Sequence, residues 1–285
     1  MRRVTLEVAA DDAGRAAALL AGASGALVAA DHREGARTAA VSVYLKESAA
    51  AKTMRRLRPL IAAHVRDGVL RRGALRETTV AAADWADEWK KYHGPLRLAH
   101  HLYVVPTWHT SFKAPSGSEV LTLDPGMAFG TGRHPTTQLA VRLMLERVRP
   151  GDVVVDAGCG SGVLALAAIV RGARSFAFDA DAVAVRVALD NLSRNGVRAE
   201  AIVHANQIPK RFPLADLIVA NIDAPALAGL AKSLAANLKR GAALISSGVT
   251  ARNRLELLAA FALAGLRFCS EHRQGVWFAY VHEKP

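Results

Sequence analysis

The chain has 285 residues, of which 51% are hydrophobic and 22% charged, so it can bury a sizeable core without disulfides or metals. Its two cysteines, Cys159 and Cys269, exclude a disulfide framework and fit a reducing, cytoplasmic setting. The formal net charge of +12 favours anionic partners, yet the cations are scattered: Arg2–Arg3, Arg55–Arg56–Arg58, Arg71–Arg72, Lys90–Lys91 and Lys239–Arg240. No dense nucleic-acid-binding arm is present. A general richness in Ala and Arg and a partner surface near nucleic acid both remain open as explanations. No apolar signal-peptide core follows Arg2–Arg3, and no uninterrupted run of about 18 apolar residues occurs, so no membrane partner is expected.

In chain order, Arg3 to Val8 alternates like a strand, and Asp11–Asp12 can cap a helix running to Leu20. Gly25 to Ala30 and Thr38 to Leu45 read as strands joined by the turn-like Arg33-Glu34-Gly35. Ala49 to Arg66 reads as a helix and Leu75 to Ala81 as a fourth strand. The order βαββαβ predicts a small ferredoxin-like α+β domain over 1–82, a layout that hosts many functions. Asp84 to Tyr92 then predicts a connecting helix, with Trp85, Trp89 and Tyr92 on one side. Strand candidates at 96–106 and 112–123 complete a connector over 83–123.

From Thr136 helices and strands alternate. Helices are predicted at 137–148, 162–171, 182–195, 224–238 and 254–264. Strands are predicted at 152–156, 175–178, 201–203, 217–220 and 242–246, with a closing pair at 267–271 and 276–282. That alternation predicts an α/β domain over 124–285: a doubly wound, mainly parallel sheet with an antiparallel hairpin at one edge.

The central chemical signal is Val153-Val154-Val155-Asp156 followed by Ala157-Gly158-Cys159-Gly160-Ser161-Gly162 and an apolar helix. Glycines at a strand-to-helix turn let a ligand approach the backbone, and the helix N-terminus offers N–H groups. The spacing is G-x-G-x-G, with Gly158, Gly160 and Gly162, and not the G-x-G-x-x-G of a dinucleotide fingerprint. An acid at Asp156 opposes a pyrophosphate but suits the ammonium and sulfonium of S-adenosyl-L-methionine, directly or through water. Asp179 ends the next strand, twenty-one residues after Gly158, where an acid can accept both ribose hydroxyl protons. Asp181 takes that place if the strand ends later. Asn221 follows the apolar strand 217–220, so it faces the region beyond the carboxyl ends of the strands. Its amide can orient the cofactor's methionine end or an incoming amine. Any one of these residues has an alternative reading as a local turn former. The combination of strand, three glycines, helix, strand and acid is what carries the signal. Cys159 reads as a small filler in the loop. His93, His100, His101, His109 and His134 follow no ligand spacing, so no metal is expected.

Asp124-Pro125-Gly126-Met127-Ala128-Phe129-Gly130-Thr131-Gly132-Arg133-His134-Pro135-Thr136-Thr137 resembles the signature loop of the PrmA family, which methylates the eleventh protein of the large ribosomal subunit. Asp156 to Gly162, Ala220-Asn221-Ile222, Asp84-Trp85-x-Asp87-Glu88-Trp89-Lys90-Lys91 and Val104-Val105-Pro106-x-Trp108 are similar as well, so the likeness runs from about 84 to 249. It implies an S-adenosylmethionine-dependent protein-lysine N-methyltransferase, with the first domain recognising the substrate; the chain is separately expected to be a monomer, in proximity to ribosomal RNA. It further implies that one of Thr136 and Thr137, together with Gly158, Asp179 and Asn221, contacts the cofactor, and that Phe129 to Gly132 covers its methionine end. The family pattern differs at Arg133 and Asp223, which are usually smaller and apolar respectively. The alternatives are a methyltransferase for another protein or a small amine, and a catalytically silent ribosome-binding protein. The intact glycine loop and Asp179 disfavour the silent protein. The absence of Asn-Pro-Pro-aromatic after Ala220 argues against base or glutamine methylation, and the loop spacing against a nicotinamide enzyme.

Overall fold

The computed structural model describes residues 2–24, 28–31, 37–45, 47–79, 94–124 and 132–285. Chain contacts divide it into two compact units, Met1–Gly94 and Pro95–Pro285.

In the first unit, strands β1 (Arg2–Ala9), β2 (Val28–Asp31), β3 (Thr38–Leu45) and β4 (Gly73–Thr79) form one antiparallel sheet in the order β2-β3-β1-β4. Helices α1 (Ala13–Ser24) and α2 (Glu47–Arg66) connect them, giving the ferredoxin-like order. Period-two alternation explains the burial. Val4, Leu6 and Val8 of β1 and Val41, Val43 and Leu45 of β3 point to the helices, while the residues between them are half-buried. Leu20 of α1 and Met54, Leu57 and Ile61 of α2 close that core. Asp11–Asp12 does not cap α1 directly. Those two acids lie in a short 3-10 turn (Ala10–Asp12), and buried Asp12 accepts from Arg15 Nη1 (2.7 Å) and the Arg71 N–H (2.8 Å). The turn at 33–35 and the connecting helix at 84–92 lie outside the described residues.

The second unit begins before the glycine loop. β5 (Leu96–Ala99), β6 (Leu102–Pro106) and β7 (Glu119–Leu123) form a three-stranded sheet, antiparallel then parallel. The expected single strand 96–106 is therefore two, because the chain reverses at His100-His101, where His101 adopts a left-handed φ of 58°. Leu98, Leu102, Val104, Leu121 and Leu123 are buried in the same core as the large sheet, so apolar burial ties 96–123 to the second unit. Asn195 adds a two-way clamp, with Thr122 N–H donating to its Oδ1 (2.8 Å) and its Nδ2 donating to the Thr122 carbonyl (2.7 Å).

The large sheet comprises β8 (Val153–Ala157), β9 (Arg174–Asp179), β10 (Ala201–His204), β11 (Ala215–Asn221), β12 (Leu238–Thr250), β13 (Arg267–Gln274) and β14 (Trp277–Glu283), in the order β10-β9-β8-β11-β12-β14-β13. The first five run parallel and the last two pair antiparallel at the edge. Helices α3 (Pro135–Leu145), α4 (Val163–Val170), α5 (Ala182–Arg194), α6 (Ala224–Ala236) and α7 (Arg254–Leu263) complete the doubly wound unit. β8 is buried at every position, as a strand covered on both faces must be. Strand order reverses between β8 and β11, so a crevice opens beyond their carboxyl ends, at Ala157 and Asn221. Among the described residues no helix is long and apolar enough to cross a membrane.

Candidate cofactor and methyl-transfer site

The glycine loop follows β8. Gly158, Gly160 and Gly162 all have positive φ, at 77°, 51° and 78°, a region that L side chains disfavour. They serve different ends. A Cβ on Gly158 would stand 2.3 Å from Ile222 Cγ2, so this glycine lets the loop pass the end of β11. Gly162 precedes α4, and a Cβ there would meet Ala188 Cβ at 3.0 Å, so it admits α5. Gly160 donates its N–H to Asp179 Oδ2 (2.9 Å).

Asp179 is the last residue of β9, and its Oδ1 accepts the Asp181 N–H (2.9 Å). Each carboxylate oxygen keeps a second lone pair for an incoming hydroxyl. Asp181 caps α5 through the Val183 N–H (2.8 Å), which leaves the strand-end position to Asp179 alone. Asp223, the departure from the family pattern, caps α6 through the Ala226 N–H (2.8 Å).

Asp156 lies beneath the loop and not on its surface. It is fully buried, and its Oδ2 accepts the Ala165 N–H in the first turn of α4 (3.1 Å). A carboxylate from within thus already serves that helix end, which makes it a poor seat for a second anion such as a pyrophosphate. Burial also pushes the Asp156 carboxyl up to about 7; the Ala165 N–H pulls the other way and the Asp179 charge adds to the rise. Cys159 packs with Ala165, Ala177 and Ala188, and burial followed by the two nearby carboxylates drives its thiol far above the usual range. It is a filler and not a nucleophile.

Across the crevice stands the first turn of α3. Thr136 and Thr137 are both buried. Asn221 Nδ2 donates to Thr137 Oγ1 (3.1 Å), and Ser247 Oγ donates to the Thr136 carbonyl (2.9 Å). Asn221, at the end of β11, and Ser247, within β12, are register partners, so two strands hold one helix start. His134 caps α3, its Nδ1 lying 2.7 Å from Thr136 Oγ1 and its ring edge-on to Trp277 at 4.8 Å. Asn221 Oδ1 is buried with no hydrogen-bond partner among the described residues. Such an atom demands a donor. Phe129, expected over the methionine end, lies outside the described residues.

Sequence reasoning missed three contributors. Gly248, at φ 95°, sits at a bulge in β12, and a Cβ there would stand 2.3 Å from the Ile222 carbonyl oxygen. Ser247 lay beyond the predicted end of its strand. Asn191, fully buried, donates to the Ser161 carbonyl (2.9 Å) and accepts the Asp124 N–H (3.0 Å), tying the glycine loop to the start of the signature segment. Two Asn residues four apart, Asn191 and Asn195, on one helix face were the available signal. Among the described residues no group of three His, Cys, Asp or Glu is placed to hold a metal ion.

The chain matches the family model described as Ribosomal protein L11 methyltransferase (PrmA) over residues 17–285. Curated relatives of that name include one from Pelotomaculum thermopropionicum, 44% identical over 208 residues, covering 72% of this chain and 67% of the relative. Another, from Chloroflexus aurantiacus, is 41% identical over 239 residues, covering 75% and 73%. Among solved structures, the ribosomal protein L11 methylase of Lactobacillus delbrueckii subsp. bulgaricus aligns with a TM-score of 0.63 at 31% identity, covering 67% of this chain and 98% of that one. The chain therefore belongs to the ribosomal protein L11 methyltransferase (PrmA) family and is an S-adenosylmethionine-dependent methyltransferase.

Proposed function

We propose that the chain transfers methyl groups from S-adenosyl-L-methionine to lysine amines of the eleventh large-subunit ribosomal protein, in the cytoplasm and as a monomer, with residues 1–82 recognising the substrate. The observation that carries the site assignment is the orphaned Asn221 Oδ1, buried at the switch point between the glycine loop and the first turn of α3.

The residues present fit this cofactor. Asp179 accepts the ribose hydroxyls, Gly158 and Gly160 let the backbone approach, and the Asp156 carboxylate beneath the loop disfavours phosphate. S-adenosylmethionine supplies an electrophilic methyl on a sulfonium. A lysine amine, with a usual pKa of ~10.4, must first lose a proton, and desolvation beside a positive charge favours that neutral form. Asn221 Oδ1 accepts one amine N–H and aims the nitrogen lone pair at the methyl. With the cofactor bound, transfer would form the N–C bond as the cofactor gives up its methyl, and the proton lost by the amine would pass to solvent. Alignment and water exclusion carry the rate. Thr136, Thr137 and Ser247 act by holding Asn221 and α3 in place.

The test is mass spectrometry of the purified ribosomal protein after incubation with enzyme and cofactor. Stepwise single-methyl gains on lysine peptides support the reading. Cofactor binding without any gain would redirect the search to another protein or a small amine. Asn221→Ala should lower turnover about 100-fold while cofactor affinity moves far less; unchanged turnover would refute the role given to Asn221.

A further inference from the structure

The cations that look scattered in sequence are concentrated by one helix. α2 carries Lys52, Arg55, Arg56, Arg58 and Arg66, all exposed, and its sole acid is Glu47 in the first turn. Lys52, Arg55, Arg56 and Arg58 have no carboxylate partner among the described residues, and Arg66 meets only exposed Asp67 at 3.5 Å. At 3.6 residues per turn Lys52, Arg55, Arg56 and Arg58 lie on the solvent side of the first half of the helix, away from Ala50, Met54, Leu57 and Ile61, with Arg66 at its far end beyond exposed Pro59, Leu60 and Ala62. Lys52 to Arg66 spans about 21 Å at a rise of ~1.5 Å per residue, room for several consecutive phosphates. Helix α5, by contrast, balances Arg186 and Arg194 with Asp190 and the capping Asp181. Beside the cationic face, Ile61, Ala62, Val65 and Leu75 line a trough of about 540 Å³ with Arg58 and Arg66 among its walls.

We propose that the solvent face of α2 is a docking surface for RNA, its guanidiniums on the phosphate backbone and the neighbouring trough receiving an unstacked base. Three physical points select this occupant. The apolar face of α2 is already buried in its own core, so the helix cannot insert into a lipid surface as an amphipathic anchor does. The face carries four cations within Lys52 to Arg58 and no exposed acid there, whereas the centres of protein–protein interfaces are depleted in charge and protein–nucleic acid interfaces are strongly positive. Arginine outnumbers lysine, and its planar fork matches phosphate oxygens. The surface thus goes beyond the methyl-transfer reading, and the test keeps the two apart.

Fluorescence anisotropy of the full chain with a labelled oligouridylate and a labelled RNA hairpin should show binding that weakens steeply with salt. The fourfold variant Lys52→Gln, Arg55→Gln, Arg56→Gln, Arg66→Gln should bind at least tenfold more weakly. Its salt slope on single-stranded RNA should fall by about 3, at roughly 0.7 per phosphate contact. Arg55→Lys, Arg56→Lys, Arg66→Lys should retain most of the affinity, and Arg186→Gln, Arg198→Gln should change nothing. Unchanged melting and unchanged S-adenosylmethionine affinity show that the fourfold variant is folded. The proposal is overturned if the full chain binds neither RNA at about 50 mM salt, or if the fourfold variant binds RNA as well as the parent. It is also overturned if polyglutamate or phosphatidylserine vesicles bind the face better than RNA.

Discussion

The two units use polar chemistry in opposite places. In the first, the burial of β1 and β3 alternates, one face goes to the helices, and the cations of α2 stand in solvent. In the second, β8 is buried throughout and the polar residues Thr136, Thr137, Asp156, Ser161, Asn191 and Ser247 are inside. A sheet covered on both faces leaves its strand ends as the place where a ligand can meet backbone, so buried polar groups gather there. A sheet with helices on one face offers surfaces instead. The second unit gathers its polar groups inward, and the first turns them outward.

The contrast predicts where substitutions act. The largest effects should come from backbone glycines of the second unit. Gly248→Ala, which places a methyl against the Ile222 carbonyl at a positive φ, should cost about 3 kcal/mol in denaturant unfolding. Leu57→Ala in the first unit opens a cavity and should cost about 3 kcal/mol as well. Calorimetry should nevertheless find S-adenosylmethionine affinity unchanged at a temperature where that variant is folded; a parallel loss would erase the distinction between the units.

Asp179→Ala should weaken cofactor binding about 100-fold, the loss of two charge-assisted hydrogen bonds at about 1.5 kcal/mol each. Melting in the absence of cofactor should move little by comparison. Equal affinity in isothermal titration would place the ribose elsewhere.

Two buried groups of the second unit should set opposing pH dependences. His282, in a ring of Phe261, Phe268 and Tyr280, is held neutral by burial, which lowers its pKa from 6.5 to about 4. The unfolded chain therefore takes up this proton first, and the stability gained from His282 is lost as pH falls from 6.5 towards 4. Asp156 has the opposite sign. Its carboxyl rises from 3.8 to about 7, so its contribution is fullest at low pH and is lost as pH rises from 3.8 through 7. Between about pH 4 and 6.5 the two slopes, each near 1.4 kcal/mol per pH unit, offset one another. Relative to the parent, Asp156→Asn should gain stability with rising pH across that window and His282→Gln should lose it. Urea unfolding at three pH values would show the crossing, and parallel curves would assign the buried charges wrongly.

The smallest effect belongs to the surface. Lys239 reaches both carboxylate oxygens of Asp216 at 2.8 Å and 2.7 Å, but both side chains are substantially exposed. Lys239→Met should cost no more than about 1 kcal/mol. A larger loss would point to the second bond of Asp216, which accepts the Val153 N–H at 2.9 Å at the start of β8.

Much of the molecule was legible in one dimension because its signals are local. Alternation in 38–45 and the apolar run 153–155 are properties of a strand and its own faces. The three glycines, Asp179 and Asn221 follow strand ends by a few residues, so their place at the crevice follows from the strand assignments. What remained hidden depends on residues distant in sequence. Asp156 reads as an acid beside a ligand, yet only the packing of α4 over β8 shows it buried and serving the Ala165 N–H. Gly162 reads as a ligand-facing glycine, and only the approach of Ala188 shows it to be a packing site. Cations listed in sequence look dispersed until the period of α2 gathers them on one face. The sequence by itself determined the elements, the glycine turn and the family, because each is written in short-range spacing. Tertiary structure alone decided which polar groups lost their water, because desolvation depends on what the rest of the chain brings against them.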